Sequence, residues 1–180
     1  MGNINIIQKP ADPHNYGGAR LPNRIQLVVI HVESGSEIGT IGWFSSQQAH
    51  VSAHYSISKA GQIYQHVPEA QIAWHAGIPA PYVWADNAKN QWPGVNPNAY
   101  SIGIEHEGYD DGQPWPDAQV HASAALVAWI CARYTIPIDR AHVVGHHEIY
   151  SGHSCPGAAC PVDGIVDLAT ASTSVAARRW

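Results

Sequence analysis

Cations are scarce in this chain. Nine Lys and Arg stand among 180 residues, no basic cluster forms, and the formal net charge is −5. Nucleic-acid binding driven by phosphate neutralisation is thereby excluded as a reading. Charged residues of both signs reach only 13% while hydrophobic residues reach 45%, a balance that makes a globular protein and not a disordered chain. No apolar stretch is long enough to span a bilayer, and no basic segment followed by an apolar run opens the chain. Neither a membrane span nor a secretory signal is read. The opening Met1-Gly2 lacks the full myristoylation pattern, because Ile6 stands where Ser or Thr is needed. The three cysteines, Cys131, Cys155 and Cys160, are an odd count. That argues against a complete disulfide framework and leaves at least one thiol for other use. There is no internal repeat and no low-complexity segment.

What abounds is histidine: 12 residues, more than Lys and Arg together. Most need no more than a surface or hydrogen-bonded core position. A minority are candidates for metal binding or proton transfer, because imidazole titrates near neutrality and ligates zinc when neutral.

The pattern along the chain predicts an α/β or mixed α+β domain built on a central mixed sheet flanked by helices. Residues 1–24 are rich in Pro, Gly and Asn and read as an irregular lead-in. "RIQLVVIHV" (24–32) is a β-branched run typical of a buried central strand. Residues 40–50 read as a short helix, and 52–69 as a hairpin turning at "KAG". A long loop follows from 75 to 100, and loops of that length are often functional. "SIGIEHEG" (101–108) reads as a second buried strand. Val120, Ala124, Val127, Cys131 and Tyr134 recur at helical spacing, with Asp117 as N-cap after Pro116 and Pro137 as the stop. "HVVGH" (142–146) reads as a short strand, and "GIVDLATA" as a closing helix.

Residues 141–157, "AHVVGHHEIYSGHSCPG", place four histidines near one cysteine. A zinc ion that keeps one position open for water takes three protein ligands. His146 and Cys155 bracket a loop of suitable size, and His31, at the end of a buried apolar run, is the strongest candidate for the third. Spacing alone leaves His31 open between a ligand and a hydrogen-bonded strand-end residue. His147 reads as a neighbour of the site or a structural residue, and His142 as structural. Cys131 falls on a helical apolar stripe and reads as core. Cys160 reads first as a free thiol, with pairing to Cys131 or metal ligation as alternatives. Glu105 is a carboxylate in an apolar strand, which is costly without a partner or a task. Glu107, two residues on, reads as a salt-bridge or structural carboxylate.

Five stretches in order, "VVIHVESGS", "VSAHYSI", "AWHAG", "SIGIEHEG" and "VVGHHEIYSGHSCPG", resemble the zinc-dependent N-acetylmuramoyl-L-alanine amidases. That group takes in phage endolysins, bacterial recycling and autolytic amidases, and the peptidoglycan recognition proteins. The resemblance runs from about residue 25 to about 160. It implies zinc (Zn2+) on His31, His146 and Cys155, with Glu105 as the catalytic carboxylate. Some bacterial members carry Asp at the last ligand position, and a thiolate there keeps the site intact. His153 stands where related amidases often have Lys, so it is either the group that donates a proton or stabilises the oxyanion, or a surface-loop residue. His54, Trp74 and His75 are expected to line the substrate groove, with core packing as the alternative for Trp74. Trp84 and Trp92, in the long loop, are expected to flank it.

The activity implied is hydrolysis of the amide between N-acetylmuramic acid and L-alanine in peptidoglycan, as in an endolysin or autolysin. A cytosolic recycling amidase and a non-catalytic peptidoglycan-binding module are the alternatives. The expected partner is peptidoglycan, with no nucleic acid, and the expected form is a monomer of one catalytic domain (1–180) without a separate wall-binding domain. Synthesis in the cytoplasm and action on the wall after release is the expected route. The C-terminal arginines, Arg178 and Arg179, read as a solvated terminus or as contacts to an anionic wall polymer.

Overall fold

The computed structural model describes residues 4–177; Arg178 and Arg179 lie outside them. Among the described residues, eight strands form two sheets. They are β1 (Ile6–Gln8), β2 (Tyr16–Ala19), β3 (Leu27–Ile30), β4 (Tyr55–Ile57), β5 (Ile63–Gln65), β6 (Gln71–Ala73), β7 (Ser101–His106) and β8 (Val143–Gly145). Four α-helices accompany them: α1 (Glu37–Phe44), α2 (Asp117–Tyr134), α3 (His146–Ile149) and α4 (Val162–Ala177). The main sheet runs β1-β5-β4-β7-β3-β8, and β2 pairs with β6 apart from it. Strands β4, β7, β3 and β8 are mutually parallel, while β5 is antiparallel to β4 and parallel to β1. The sheet is therefore mixed, and helices flank it.

Strand alternation sorts the two faces. Val28, Ile30, Ile102, Ile104 and Val143 pack with the apolar stripes of α2 and α4 on one face. Leu27, Val29 and Val144 point the other way, into a second cluster with Trp84, Tyr100 and Ile149. All four residues of β3 are fully buried, as a run apolar on both faces requires. Cys131 is buried in the first cluster, and all three cysteines are free.

Several boundaries differ from the expectation. The lead-in is not wholly irregular: β1 adds to the sheet beside β5, and β2 pairs with β6. These strands are three and four residues long, too short to show a period among the prolines and glycines around them. The first helix begins at Glu37, earlier than expected, because Ser36 caps it by accepting from the Gly39 N–H. It ends at Phe44, where the buried Asn15 amide donates to the Phe44 and Ser46 carbonyls. Asp117 is the first helical residue of α2, with Pro116 at the cap. The stop is Thr135 in the left-handed conformation (φ 58°), whose N–H reaches the Cys131 carbonyl. The closing helix is longer than "GIVDLATA". The hairpin turns where expected, with Gly61 at φ 81° against the Ala118 carbonyl, a place no Cβ fits.

Candidate metal centre and catalytic cleft

The parallel strands bring three distant residues level. Ile30 pairs with Ile104 on one side and with Gly145 on the other. One step further along each strand stand His31, Glu105 and His146, at the carboxyl ends where open α/β sheets bind their ligands. Glu105 shares its side of β7 with Ser101 and Gly103, opposite the core-facing Ile102 and Ile104. His146 starts α3 rather than continuing the strand, which turns the neighbouring His147 out to solvent. The His147 N–H still donates to the Cys155 carbonyl at 2.7 Å, clamping the segment that carries the thiol beside α3.

His31, His146 and Cys155 each offer one ligand atom, and the three atoms lie within 4.8 Å of one another. Cys155 Sγ is 3.7 Å from His31 Nδ1. A nitrogen and a sulfur on one tetrahedral zinc, at about 2.05 and 2.3 Å, stand about 3.6 Å apart. The Val32 N–H points at the same sulfur at 3.3 Å. His146 Nε2 is buried with no hydrogen-bond partner, a cost that ligation removes. Burial drives both imidazoles toward the neutral form: His31 far down, and His146 to about 4 with help from His153 and His147. Two neutral imidazoles and one thiol suit zinc, and three ligands leave a position open.

These residues floor an open cleft of about 480 Å³. Glu105 lines it with Oε2 unpartnered, and burial pushes its carboxyl up to about 8. His153, exposed at the rim, stacks on His146 with ring centroids 5.0 Å apart. Trp74 and His75 line the cleft. His54 does not: it is fully buried, accepts from the Gly103 N–H at Nδ1 and lies against Arg20 and the Gln71 carbonyl at Nε2. The expectation of a groove histidine there is corrected, because a fully buried imidazole with both nitrogens engaged cannot meet a substrate. Trp84 and Trp92 are likewise turned inward, into the second cluster, where Trp84 Nε1 donates to the Tyr100 hydroxyl. The loop reaches the cleft instead through Gly77 and Asn98. Glu107 accepts from the Lys59 N–H at the hairpin, and His142 is bonded to Asp139.

Phe44, Val51 and His50 form a cleft wall that the sequence reading missed. His50 and Ser34, both in the lining, hold left-handed backbone at φ 53°. Such strain in non-glycine residues gathers at binding sites. Nothing in the local sequence marks His50, whose conformation is held by a tertiary bond from its N–H to Asn15 Oδ1 at 2.9 Å.

Residues 21–158 match the family described as N-acetylmuramoyl-L-alanine amidase, and the chain belongs to it. N-acetylmuramoyl-L-alanine amidase A of Achromobacter lyticus is 42% identical over 129 residues, 71% of this chain and 62% of that protein. Among solved structures, a selenomethionine derivative of AmpD superposes with a TM-score of 0.69 at 27% identity, over 91% of this chain and 93% of that one. The E. coli amidase AmiD superposes with a TM-score of 0.66 at 30% identity, over 81% and 57%. It was solved with its substrate anhydro-N-acetylmuramic acid-L-Ala-D-gamma-Glu-L-Lys. The chain spans between about half and two thirds of the length of the curated relatives it matches.

Proposed function

We propose that this chain hydrolyses the amide between the lactyl group of N-acetylmuramic acid and L-alanine in peptidoglycan, with zinc held by His31, His146 and Cys155. The observation that carries this reading is the unpartnered, buried His146 Nε2 beside His31 and Cys155, in a cleft that also holds an unpartnered carboxylate. Zinc bound there acidifies water and polarises an amide carbonyl. Glu105 has the position and the free oxygen to take the proton of an attacking water and return it to the leaving amine. A nearby cation favours its carboxylate form, opposing the burial that otherwise keeps it protonated. His153 is offered for a second proton or for charge developing on the carbonyl oxygen; its exposed ring above His146 supports that role. Trp74 supplies an apolar wall for a sugar or peptide face.

Polymeric wall is the preferred substrate in this reading, as for an enzyme released to act outside the cytoplasm. The thiolate ligand, by its resemblance to the phage-type enzymes, supports it. The likeness to AmpD and AmiD favours soluble anhydro-muropeptide as the second reading. A binding-only module is disfavoured because both histidines, Cys155 and Glu105 are all present. No helix among the described residues is long and apolar enough to cross a membrane.

The test is release of new alanine amino groups by the zinc-loaded protein from purified wall and from soluble anhydro-muropeptide. Release from wall at the higher kcat/KM supports the first reading, and the reverse order supports the second. Wall binding without release from either overturns both.

A further inference from the structure

His75 lines the cleft, yet its ring nitrogens both face the protein, and they form part of a directed chain of hydrogen bonds. The chain starts at the Pro97 carbonyl, which only accepts. The Ser101 hydroxyl carries one hydrogen and donates it to that carbonyl at 2.7 Å. Ser101 Oγ has only lone pairs left, so at 3.2 Å it accepts from His75 Nε2–H. A neutral His75 with its proton on Nε2 has a lone pair on Nδ1. His31 Nε2, 3.0 Å away, must then be the donor. A neutral His31 with its proton on Nε2 has its remaining lone pair on Nδ1, the nitrogen that lies 3.7 Å from Cys155 Sγ.

Backbone features hold this chain in place. The N–H groups of His75 and Ala76 both donate to Asn98 Oδ1, at 3.2 and 2.7 Å. The His75 ring lies flat against the bare backbone of Gly103: a Cβ there would stand 2.4 Å from His75 Cγ. Glycine in the middle of a buried strand weakens it unless something approaches closely, and here the ring of His75 does.

We propose that His75 and Ser101 are positioning residues that set the tautomer and ring angle of His31, so that its Nδ1 presents a lone pair to the metal. The proposal rests on the metal-site reading above. It gives "WHAG" and the Ser101 and Gly103 of "SIGIEHEG" a shared purpose that groove lining does not. Partners of this kind orient ligand histidines in metal sites, and their loss typically costs about 10- to 100-fold in metal affinity.

The experiment measures zinc affinity by chelator competition for wild type, His75→Leu, His75→Asn and Ser101→Ala. Long-range ¹⁵N–¹H spectra of the histidines are recorded on metal-free wild type. His75→Leu removes the acceptor and is expected to weaken zinc binding by about 10- to 100-fold. His75→Asn puts an amide oxygen near the position of Nδ1 and is expected to recover most of that loss, which a purely space-filling role would not produce. Ser101→Ala is expected to fall between. The spectra, which need no variant to fold, are expected to show both His31 and His75 protonated at Nε2. Equal affinity in wild type and His75→Leu overturns the proposal, as does His75→Asn behaving like His75→Leu. So does a His31 protonated at Nδ1. If wild type takes up no zinc at all, the metal-site reading fails with it; normal wild-type uptake alongside any of the other adverse results overturns this inference alone.

Discussion

Cys155 Sγ lies 3.7 Å from His31 Nδ1 across a sequence separation of 124 residues. Nothing local enforces that approach. It follows from the parallel pairing of β3 with β8, which sets His31 level with His146, and from the clamp between the His147 N–H and the Cys155 carbonyl.

One zinc per chain is therefore expected, and removing it with a chelator is expected to abolish amide hydrolysis until zinc is restored. Cys155→Ser is expected to lower zinc affinity at least about 100-fold, because a neutral hydroxyl replaces a thiolate. Cys155→Asp, which keeps an anionic ligand at that position, is expected to retain most of it. Metal analysis after dialysis and chelator competition check both.

Glu105 is costly to keep: burial raises its carboxyl to about 8 and Oε2 has no partner. Glu105→Gln is expected to cut kcat by about 10²- to 10⁴-fold, the range for loss of a general base or acid. The same variant is expected to unfold at the same temperature as wild type or higher. Kinetics on wall fragments and thermal denaturation, run on the same preparation, test the two halves together. A variant with full activity sinks the assignment.

Glu37 yields a pH prediction. Burial raises its carboxyl from 4.5 to about 7, partly offset by the Ser56 hydroxyl donating to Oε1 at 2.8 Å. Between those two values the native state holds a proton that the unfolded chain releases, so this group lowers stability as pH rises from 4.5 to about 7. Below the window the effect is absent, and above it the effect is constant, at most about 3 kcal/mol. The difference in unfolding free energy between Glu37→Gln and wild type is expected to shift in the variant's favour across that window. Urea denaturation at pH 4.5, 6 and 8 measures it.

Glu148 ties the candidate metal site to the long loop. Its Oε2 accepts from the Gly145 N–H at 2.6 Å and from Arg140 Nη2 at 2.8 Å, and Lys89 of the loop donates to Oε1. Burial alone would raise its carboxyl, but the bonds from Lys89, Arg140 and Gly145 outweigh that and hold it low. Glu148→Ala is expected to cost about 2–3 kcal/mol, below the full penalty for a broken buried pair because Lys89 and Arg140 retain some exposure. Weaker zinc binding through a loosened His146 is expected as well. Unfolding and zinc titrations of the one variant check both effects.

What the sequence alone determined is what local periodicity and side-chain chemistry encode. The buried run ending at His31, the hairpin at Gly61, the helical stripe through Cys131 and the costly Glu105 were all legible from residue order. So was the cluster of candidate metal ligands around His146 and Cys155. The short strands β1, β2 and β6 were not: no apolar run marks them as it marks β3, β1 and β2 stand among prolines and glycines, and each is fixed by the partner it pairs with across the fold. His54 and His75 look alike in sequence, each in an "AH" or "WH" setting beside small residues, and only the packing separates them. His54 is fully buried with both ring nitrogens engaged, while His75 lies on Gly103 with its ring bonded to His31 and lines the cleft. His50 and Asn98 entered the cleft by the same route, through contacts made across the fold. Residue order sets which groups are available and which backbone conformations they favour. Which nitrogen of a histidine faces a metal, and which faces a neighbour, depends on strand register and on hydrogen bonds between residues far apart in the chain.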